Sequence, residues 1–370
     1  MRLTSGPALI AGLSIYFACR VISADETPSV GTVPWLAEVQ RTPDQVPAPK
    51  RPLAPLLQTS TQEPIKTLEA WQKQRAILRT QWQEFLGKMP APPRDLAIKV
   101  LRRDDIDGGT RELLEYECEP GWRVQGYLLR PVGGAKPRSR PAIVALHPTT
   151  DLSINNIAGV AGPPEKFTGI DLMNAGFVVF CPRCFLWQDA KTIQEATAAH
   201  QKRHPNVRGM VKMLYDAQRA VDVVLSLPEV DPMRVGAFGH SLGAKEVLYL
   251  LAFDDRVKAG VASEGGIALD STNWDAPWYL GPEAREPKFP RDHHELVGLI
   301  APRPFLVIAG ESGQGAADGK RSWPYLEAAL PVYKLYGEPA RLGMLNHGKG
   351  HPLPAAEFEK AIEWLKVSLD

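Results

Sequence analysis

The pentapeptide Gly239-His240-Ser241-Leu242-Gly243 sets a serine hydroxyl between two glycines, after the strand-like Arg234-Val235-Gly236-Ala237-Phe238 and before helical Ala244 to Leu251. A strand that turns into a helix within so few residues forces its middle residue into strained backbone, and flanking glycines remove the side chains that would collide there. Ser241 Oγ would then project above a sheet edge, where the Leu242 N–H, at the start of the new helix, can face an oxyanion. A serine hydroxyl is a poor nucleophile until an imidazole takes its proton and a carboxylate orients that imidazole. The chemistry this motif predicts is acyl transfer through a covalent intermediate, completed by a His and an Asp or Glu from elsewhere in the chain.

Two histidines close the segment Asn346-His347-Gly348-Lys349-Gly350-His351, which follows the strand-like Leu342 to Leu345. His200, His204, His293 and His294 stand in polar helical or loop contexts without a ligand pattern beside them, and solvated surface is their expected setting. Cys118, Cys181 and Cys184 are expected to be ordinary buried or loop cysteines. Cys181-Pro182-Arg183-Cys184 has redox spacing but ends a strand instead of opening a helix, and no second Cys/His pair completes a zinc site. No metal and no organic cofactor is implied.

The elements that must position these groups follow from periodicity. Short continuous apolar runs at Ala142 to Leu146, Phe177 to Phe180, Val235 to Phe238, Ala259 to Ala262 and Phe305 to Ala309 are the pattern of strands buried on both faces. Between them, Val207, Met210, Val211, Leu214, Ala217, Val221 and Val224 mark one long helical face. That alternation predicts an α/β fold with a doubly wound, mostly parallel sheet flanked by helices. Residues 97–130 differ: Leu114, Tyr116 and Cys118 alternate with Glu115, Glu117 and Glu119, which predicts antiparallel N-terminal strands.

Ahead of this catalytic domain, residues 97–370, the chain has three parts. Arg2, the apolar run Ala8 to Ala18 and Ile22-Ser23-Ala24 predict an export signal over residues 1–24, too short for a stable membrane span, with Cys19 as a minor lipoprotein alternative. Residues 25–66, rich in proline, are expected to be a tether. Within residues 67–96, Leu68, Trp71, Leu78, Trp82 and Phe85 recur at helical spacing and predict a helix packed on the main domain.

From about residue 97 onward the sequence resembles the α/β-hydrolase superfamily. The stretch Gly239 to Leu251, the Pro302-Arg303-Pro304 entry to a late strand and the late His351 are similar to its dienelactone-hydrolase and acetyl-xylan-esterase-like branch. The resemblance implies a cofactor-free carboxylic ester hydrolase. It also implies a base on the loop after the last strand, which suits His351, with His347 as the competing choice. The family acid follows the strand Phe305 to Ala309; Asp318, displaced by a short Gly-rich insertion, is the first candidate and Glu311 the last. Glu264 is the rival, because Ser263-Glu264-Gly265-Gly266 resembles the Glu-Gly-rich motif that carries the acid in glucuronoyl esterases. Lys245 matches a sugar-contacting lysine of that sister branch, although Leu242 stands where that branch has arginine. A second oxyanion donor is expected from Thr149 or Thr150, in His147-Pro148-Thr149-Thr150, where related esterases place His-Gly-Gly.

Trp187, Trp274 and Trp278 lie in two aromatic segments that either stack on a sugar or brace a loop. With 43 basic and 42 acidic residues the net charge is +1, and no basic block marks a nucleic-acid site. The expected partner is a small-molecule or saccharide ester. Rival readings are a serine peptidase of prolyl-oligopeptidase type, disfavoured because no propeller-like repeat precedes residue 97, and a catalytically silent carbohydrate-binding protein on the same fold.

Overall fold

In the computed structural model, which describes residues 31–370 apart from Glu338, the apolar runs become the inner strands of one nine-stranded sheet. In chain order the strands are β1 (Lys99–Ile106), β2 (Gly109–Glu119), β3 (Trp122–Pro131), β4 (Arg140–Leu146), β5 (Val178–Pro182), β6 (Val230–His240), β7 (Ala259–Ser263), β8 (Phe305–Ala309) and β9 (Leu342–Asn346). Their spatial order is β1-β2-β3-β5-β4-β6-β7-β8-β9. The pairs β1/β2, β2/β3 and β3/β5 are antiparallel, and every pair from β5/β4 to β8/β9 is parallel. Along β2, Leu114, Tyr116 and Cys118 are buried while Glu115 and Glu117 are half-buried, so the period-two pattern has its expected cause.

The helices are α1 (Leu36–Val39), α2 (Leu68–Leu86), α3 (Ile154–Ile157), α4 (Thr168–Asn174), α5 (Ile193–Arg203), α6 (Gly209–Leu225), α7 (Leu242–Phe253), α8 (His294–Ile300), α9 (Trp323–Leu335) and α10 (Ala355–Leu369). One face of the sheet carries the apolar side chains of α1, α3, α4 and α10, and the other those of α2 and α6 to α9. The sheet is therefore doubly wound.

Helix α2 begins where the Thr67 side chain accepts the Ala70 N–H, and it buries Trp71, Leu78, Trp82 and Leu86. Each such residue taken out of water contributes about 1.5–3 kcal/mol. The Pro-rich residues 31–66 lie on the body: Val33, Val39, Leu56 and Ile65 are buried, and Gln40 donates to the Leu342 carbonyl at 3.0 Å. Proline discourages regular structure, but it does not stop scattered apolar residues from docking. The expected export signal, residues 1–24 with Cys19, falls outside the described residues. Among the described residues, no helix is long and apolar enough to cross a membrane.

Chain order and strand order diverge around β4. After β4 the chain moves to β5 on one side, then returns past β4 to β6 on the other. The loops leaving β4 and β6, which pair from Ala142/Val235 to Leu146/Gly239, therefore depart in opposite senses and open a crevice at the carboxyl edge. Ser241 and the 147–153 loop sit at that crevice.

Candidate active site

β6 ends at His240 and α7 starts at Leu242, so the whole reversal falls on Ser241, with φ 58° and ψ −115°. A non-glycine residue there stores about 1–3 kcal/mol of strain. The flanking glycines are required by close approach. A Cβ on Gly239 would lie 2.2 Å from the Gly243 oxygen, and one on Gly243 would lie 2.1 Å from the Leu146 oxygen. The turn is tied down by Ser241 N donating to Ser263 O at 2.7 Å, across to the end of β7. Helix α7 begins at Leu242, so its positive end faces the space beside Ser241.

A second strained residue stands one strand away. Glu264, directly after β7, has φ 57°, and its carboxylate is buried. One oxygen accepts the Gly310 N–H and the other, Oε2, accepts the Ala317 N–H at 2.7 Å. Oε2 also lies 3.5 Å from His351 Nδ1. The His351 ring, one third exposed, packs at 4.8 Å from the ring of His240, the residue preceding Ser241. Its backbone N–H donates to Gln314 O at 3.2 Å. The Gly-rich 312–317 stretch thus supplies backbone partners to both Glu264 and His351.

Asp318 lies elsewhere. Its oxygens accept the Gly266 and Ile267 N–H groups, both at 2.8 Å, and the Ser322 hydroxyl at 2.6 Å. Burial pushes its carboxyl up, the nearby Glu264 charge adds to this, and the three hydrogen bonds oppose both. Glu311 accepts from Lys320 N and Asn346 Nδ2, at 2.8 and 2.7 Å. His347 Nδ1 accepts from Lys349 N at 3.2 Å, and desolvation pulls its imidazole down. Of the candidate acids, the geometry brings Glu264 to His351, while Asp318 and Glu311 are committed to loop contacts.

The loop after β4 hangs on His147. This buried imidazole accepts the Cys184 N–H at 3.1 Å and the Ser153 hydroxyl at 3.2 Å on Nε2, and its Nδ1–H donates to Pro148 O at 2.9 Å. Burial pushes it down to about 4, so it stays neutral, as these bonds require. Thr149 is exposed and Thr150 half-buried, with Thr150 O accepting Ser153 N at 2.9 Å.

Lys245 points into the protein. Its Nζ donates to Gly265 O at 2.6 Å and Thr272 Oγ1 at 2.5 Å, and it stands 3.9 Å from the Trp274 ring centroid. Burial pulls its ammonium down to about 7 against the favourable pull of Asp318. Trp274 is fully buried, and its Nε1–H donates to Gly266 O at 2.7 Å. Trp187 and Trp278 are half-buried, and Trp187 meets the His147 ring edge-on at 5.0 Å.

The histidines expected at the surface are mostly inside. His293 is bonded to Tyr249 and to Ile267 O, His294 Nε2 donates to Ala54 O, and His200 shares a hydrogen bond with Val207 O. All three are buried. His204 Nε2 lies 2.8 Å from a Glu119 carboxylate oxygen, and Glu119 also meets Lys212 at 2.7 Å. Cys118, Glu119 and Asp216 converge there as metal-type ligands, but the Lys212 ammonium, 2.5 Å from Asp216, already supplies the positive charge. The three described cysteines are free and buried, and desolvation raises each thiol, Cys118 to about 12. None has the setting of a reactive thiolate.

Comparison with known proteins places the chain in a family and a fold. Residues 126–283 match the dienelactone hydrolase family. The protein "Putative hydrolase YtaP" of Bacillus subtilis (strain 168) is 32% identical over 252 residues, covering 64% of this chain and 80% of that protein. A glucuronoyl esterase from Solibacter usitatus superposes with TM-score 0.73 at 20% identity, covering 88% of this chain and all of that one. A CE15 glucuronoyl esterase from Teredinibacter turnerae T7901 superposes with TM-score 0.66 at 21% identity, covering 85% and 88%. At these identities the two structures speak for the fold alone.

Proposed function

Because the chain belongs to the dienelactone hydrolase family of the α/β-hydrolase superfamily, we propose that it is a serine carboxylic ester hydrolase with Ser241 as nucleophile, His351 as base and Glu264 as the acid. The observation that carries this reading is the 3.5 Å approach of a buried carboxylate to His351 Nδ1, beside the strained serine of the elbow. That separation is long for a hydrogen bond, and catalytic contacts of this kind shorten when substrate is bound.

In the proposed cycle, His351 Nε2 removes the Ser241 proton as Oγ bonds to the ester carbon. The oxyanion forms against the Leu242 N–H, with Thr149 N–H as the second donor. His351 then gives its proton to the alcohol oxygen as the ester C–O bond breaks. Water attacks the acyl-enzyme by the same route in reverse, releasing the acid and restoring Ser241. Glu264, held by the Gly310 and Ala317 amides, fixes the imidazole tautomer and offsets the imidazolium charge. No step needs a metal.

We infer the substrate class to be saccharide esters, acetyl or methyl-glucuronoyl. The named activities of the Solibacter and Teredinibacter structures support it, as does the export pattern of residues 1–24, which would put the enzyme outside the cytoplasm. Lys245 and Trp274 serve in this reading as the floor beneath the acyl group, with Trp187 and Trp278 nearer the solvent. A fluorophosphonate probe should label Ser241 alone, and Ser241→Ala should abolish hydrolysis of short-chain nitrophenyl esters. A folded wild type that stays unlabelled, or equal rates in the variant, would favour the catalytically silent reading.

A further inference from the structure

The proposed acid and base both lean on one strap of chain, residues 311–317, of which Ser312, Gly313, Gln314 and Gly315 are exposed. The Ala317 N–H holds Glu264 Oε2, and the Gln314 carbonyl accepts the His351 N–H. Ser312 faces the same histidine loop, with its N–H 3.3 Å from Lys349 O and its hydroxyl 3.0 Å from Gly348 O. The approach is close: a Cβ on Gly315 would stand 3.2 Å from His351 Cβ, and one on Gly313 would stand 3.1 Å from Gly350 Cα. Glycines at 313 and 315, both at positive φ, give the strap much conformational freedom to lose, and its backbone bonds to the histidine loop, at 3.2 and 3.3 Å, are long.

Arg321 supplies the missing restraint. It stands in a single 3₁₀ turn, Lys320–Ser322, whose other two residues are tied down, the Lys320 N–H to Glu311 Oε2 at 2.8 Å and Ser322 Oγ to Asp318 at 2.6 Å. From that fixed point the guanidinium donates through Nη1 to Ala316 O at 2.8 Å and through Nη2 to Glu311 O at 2.7 Å. The two carbonyls lie near the beginning and the end of the strap, so one side chain closes it into a ring. A planar fork of donors can span both, whereas an ammonium is a compact charge on a flexible stem. The Ala316 carbonyl and the Ala317 N–H are moreover the two sides of one peptide plane. Guanidinium, peptide and Glu264 carboxylate therefore form a continuous chain of hydrogen bonds.

Resting on the Ser241, His351 and Glu264 reading above, we infer that Arg321 is a positioning residue of the hydrolase, which aims the 316–317 peptide at the acid without touching substrate. A charged donor on the carbonyl side also polarises that peptide and strengthens the bond its N–H makes to Glu264. Without the guanidinium, the glycine-rich strap populates arrangements in which the Ala317 amide is out of place, and turnover falls with the fraction that remains in place. The substrate contacts assigned to Lys245 and Trp274 lie on other segments, so the loss belongs to kcat and not to KM.

The test is a double-mutant cycle on the full-length enzyme with a short-chain nitrophenyl ester. Arg321→Ala should lower kcat by about 10²-fold, the scale of a displacement of about 1 Å at the reacting groups, with KM within about twofold of wild type. Arg321→Lys, which can reach only one of the two carbonyls, should lose about tenfold. Added methylguanidinium should restore part of the loss in Arg321→Ala and leave wild type unchanged. In a Glu264→Gln background the further cost of Arg321→Ala should shrink to about fivefold or less, because the charge it positions is gone.

Equal losses from Arg321→Ala in the two backgrounds would make its role merely structural and overturn the inference. So would wild-type kcat in the single variant, or a raised KM with kcat retained, which would put Arg321 on the substrate. Should Arg321→Ala fail to fold, Arg321→Lys carries the same cycle, and equal losses in both backgrounds again overturn the inference. In each of those cases the esterase reading stands. A Glu264→Gln enzyme with wild-type turnover removes the acid assignment and this inference with it, and a folded wild type unlabelled by the fluorophosphonate removes the whole reading.

Discussion

The two strained residues of the site, Ser241 and Glu264, have nearly the same φ and sit at the ends of adjacent strands, yet they are held in opposite ways. Ser241 is fixed locally: the turn is closed within Gly239 to Gly243, and the glycines are demanded by oxygens 2.2 and 2.1 Å from where a Cβ would stand. Glu264 is fixed at long range. Its carboxylate rests on amides 46 and 53 residues away, and the two peptide N–H groups that follow Gly265 are held by Asp318, 52 and 51 residues away. Lys245 and Trp274 take the Gly265 and Gly266 carbonyls. A nucleophile can be built by a short motif, whereas the orienting acid depends on an assembled loop cluster.

The largest effect should come from separating the acid from its scaffold. Glu264→Gln keeps the shape but, with one acceptor oxygen in place of two, only one of the two amide contacts, and it removes the charge beside His351. Turnover should fall by about 10⁴, the scale seen when a triad carboxylate is neutralised elsewhere. Asp318→Asn leaves the charge at Glu264 and weakens the bonds to Gly266, Ile267 and Ser322. It should cost about 1–3 kcal/mol in denaturant unfolding and much less in turnover. If Asp318→Asn proved the slower enzyme at equal folding, the comparison would be reversed and Asp318 would be the acid.

The same contrast explains what could be read from residues alone. The elbow, the parallel strands, α6 and the alternation along β2 rest on patterns of a few residues, and each lies where periodicity puts it. Asp318 led as acid because it follows β8 after a Gly-rich insertion. What that reasoning could not see is that the insertion turns its backbone amides toward Glu264 and its carbonyl at Gln314 toward His351. The available signal was the Gly265-Gly266 pair directly after Glu264, and the structure gives Glu264 itself a φ of 57° there. His293 and His294 looked solvated because the covering groups, Trp82 and Ala54, are more than 200 residues earlier. The Pro-rich segment looked detached because its buried residues, Val33, Val39, Leu56 and Ile65, have no regular spacing.

Breaking the local half needs only one methyl group. Gly243→Ala would set a Cβ against the backbone oxygen of Leu146, the last residue of β4, which cannot rotate away. The elbow must shift or the β4 exit must move, at an expected cost of about 1–3 kcal/mol. Activity should drop with it, because the same shift displaces both Ser241 and the 147–153 loop. Gly265→Ala, in the long-range half, meets its nearest atom, the Ala244 Cβ, at 3.0 Å and should cost less. Equal losses of stability in the two variants would remove the distinction.

A last comparison tests whether the acid cluster is closed to water. Lys245 is charged in the unfolded chain up to its ordinary value of 10.5, but burial brings it down to about 7 in the fold. The Trp274 face at 3.9 Å favours the charged form and limits that fall. Between pH 7 and 10.5 the unfolded chain therefore holds a proton that the folded protein has released, so the Lys245 contribution to stability improves as pH rises. Below pH 7 both states are protonated and the burial cost is constant. Unfolding free energies of wild type and Lys245→Met should therefore run parallel from pH 5 to 7. They should then diverge in favour of wild type by up to about 1.4 kcal/mol per pH unit. Because a neutral amine still donates to Gly265 O and Thr272 Oγ1, the clamp persists across that range. Curves that stay parallel to pH 10 would mean that water reaches Nζ, and that the loop holding Glu264 is looser than the elbow's own turn.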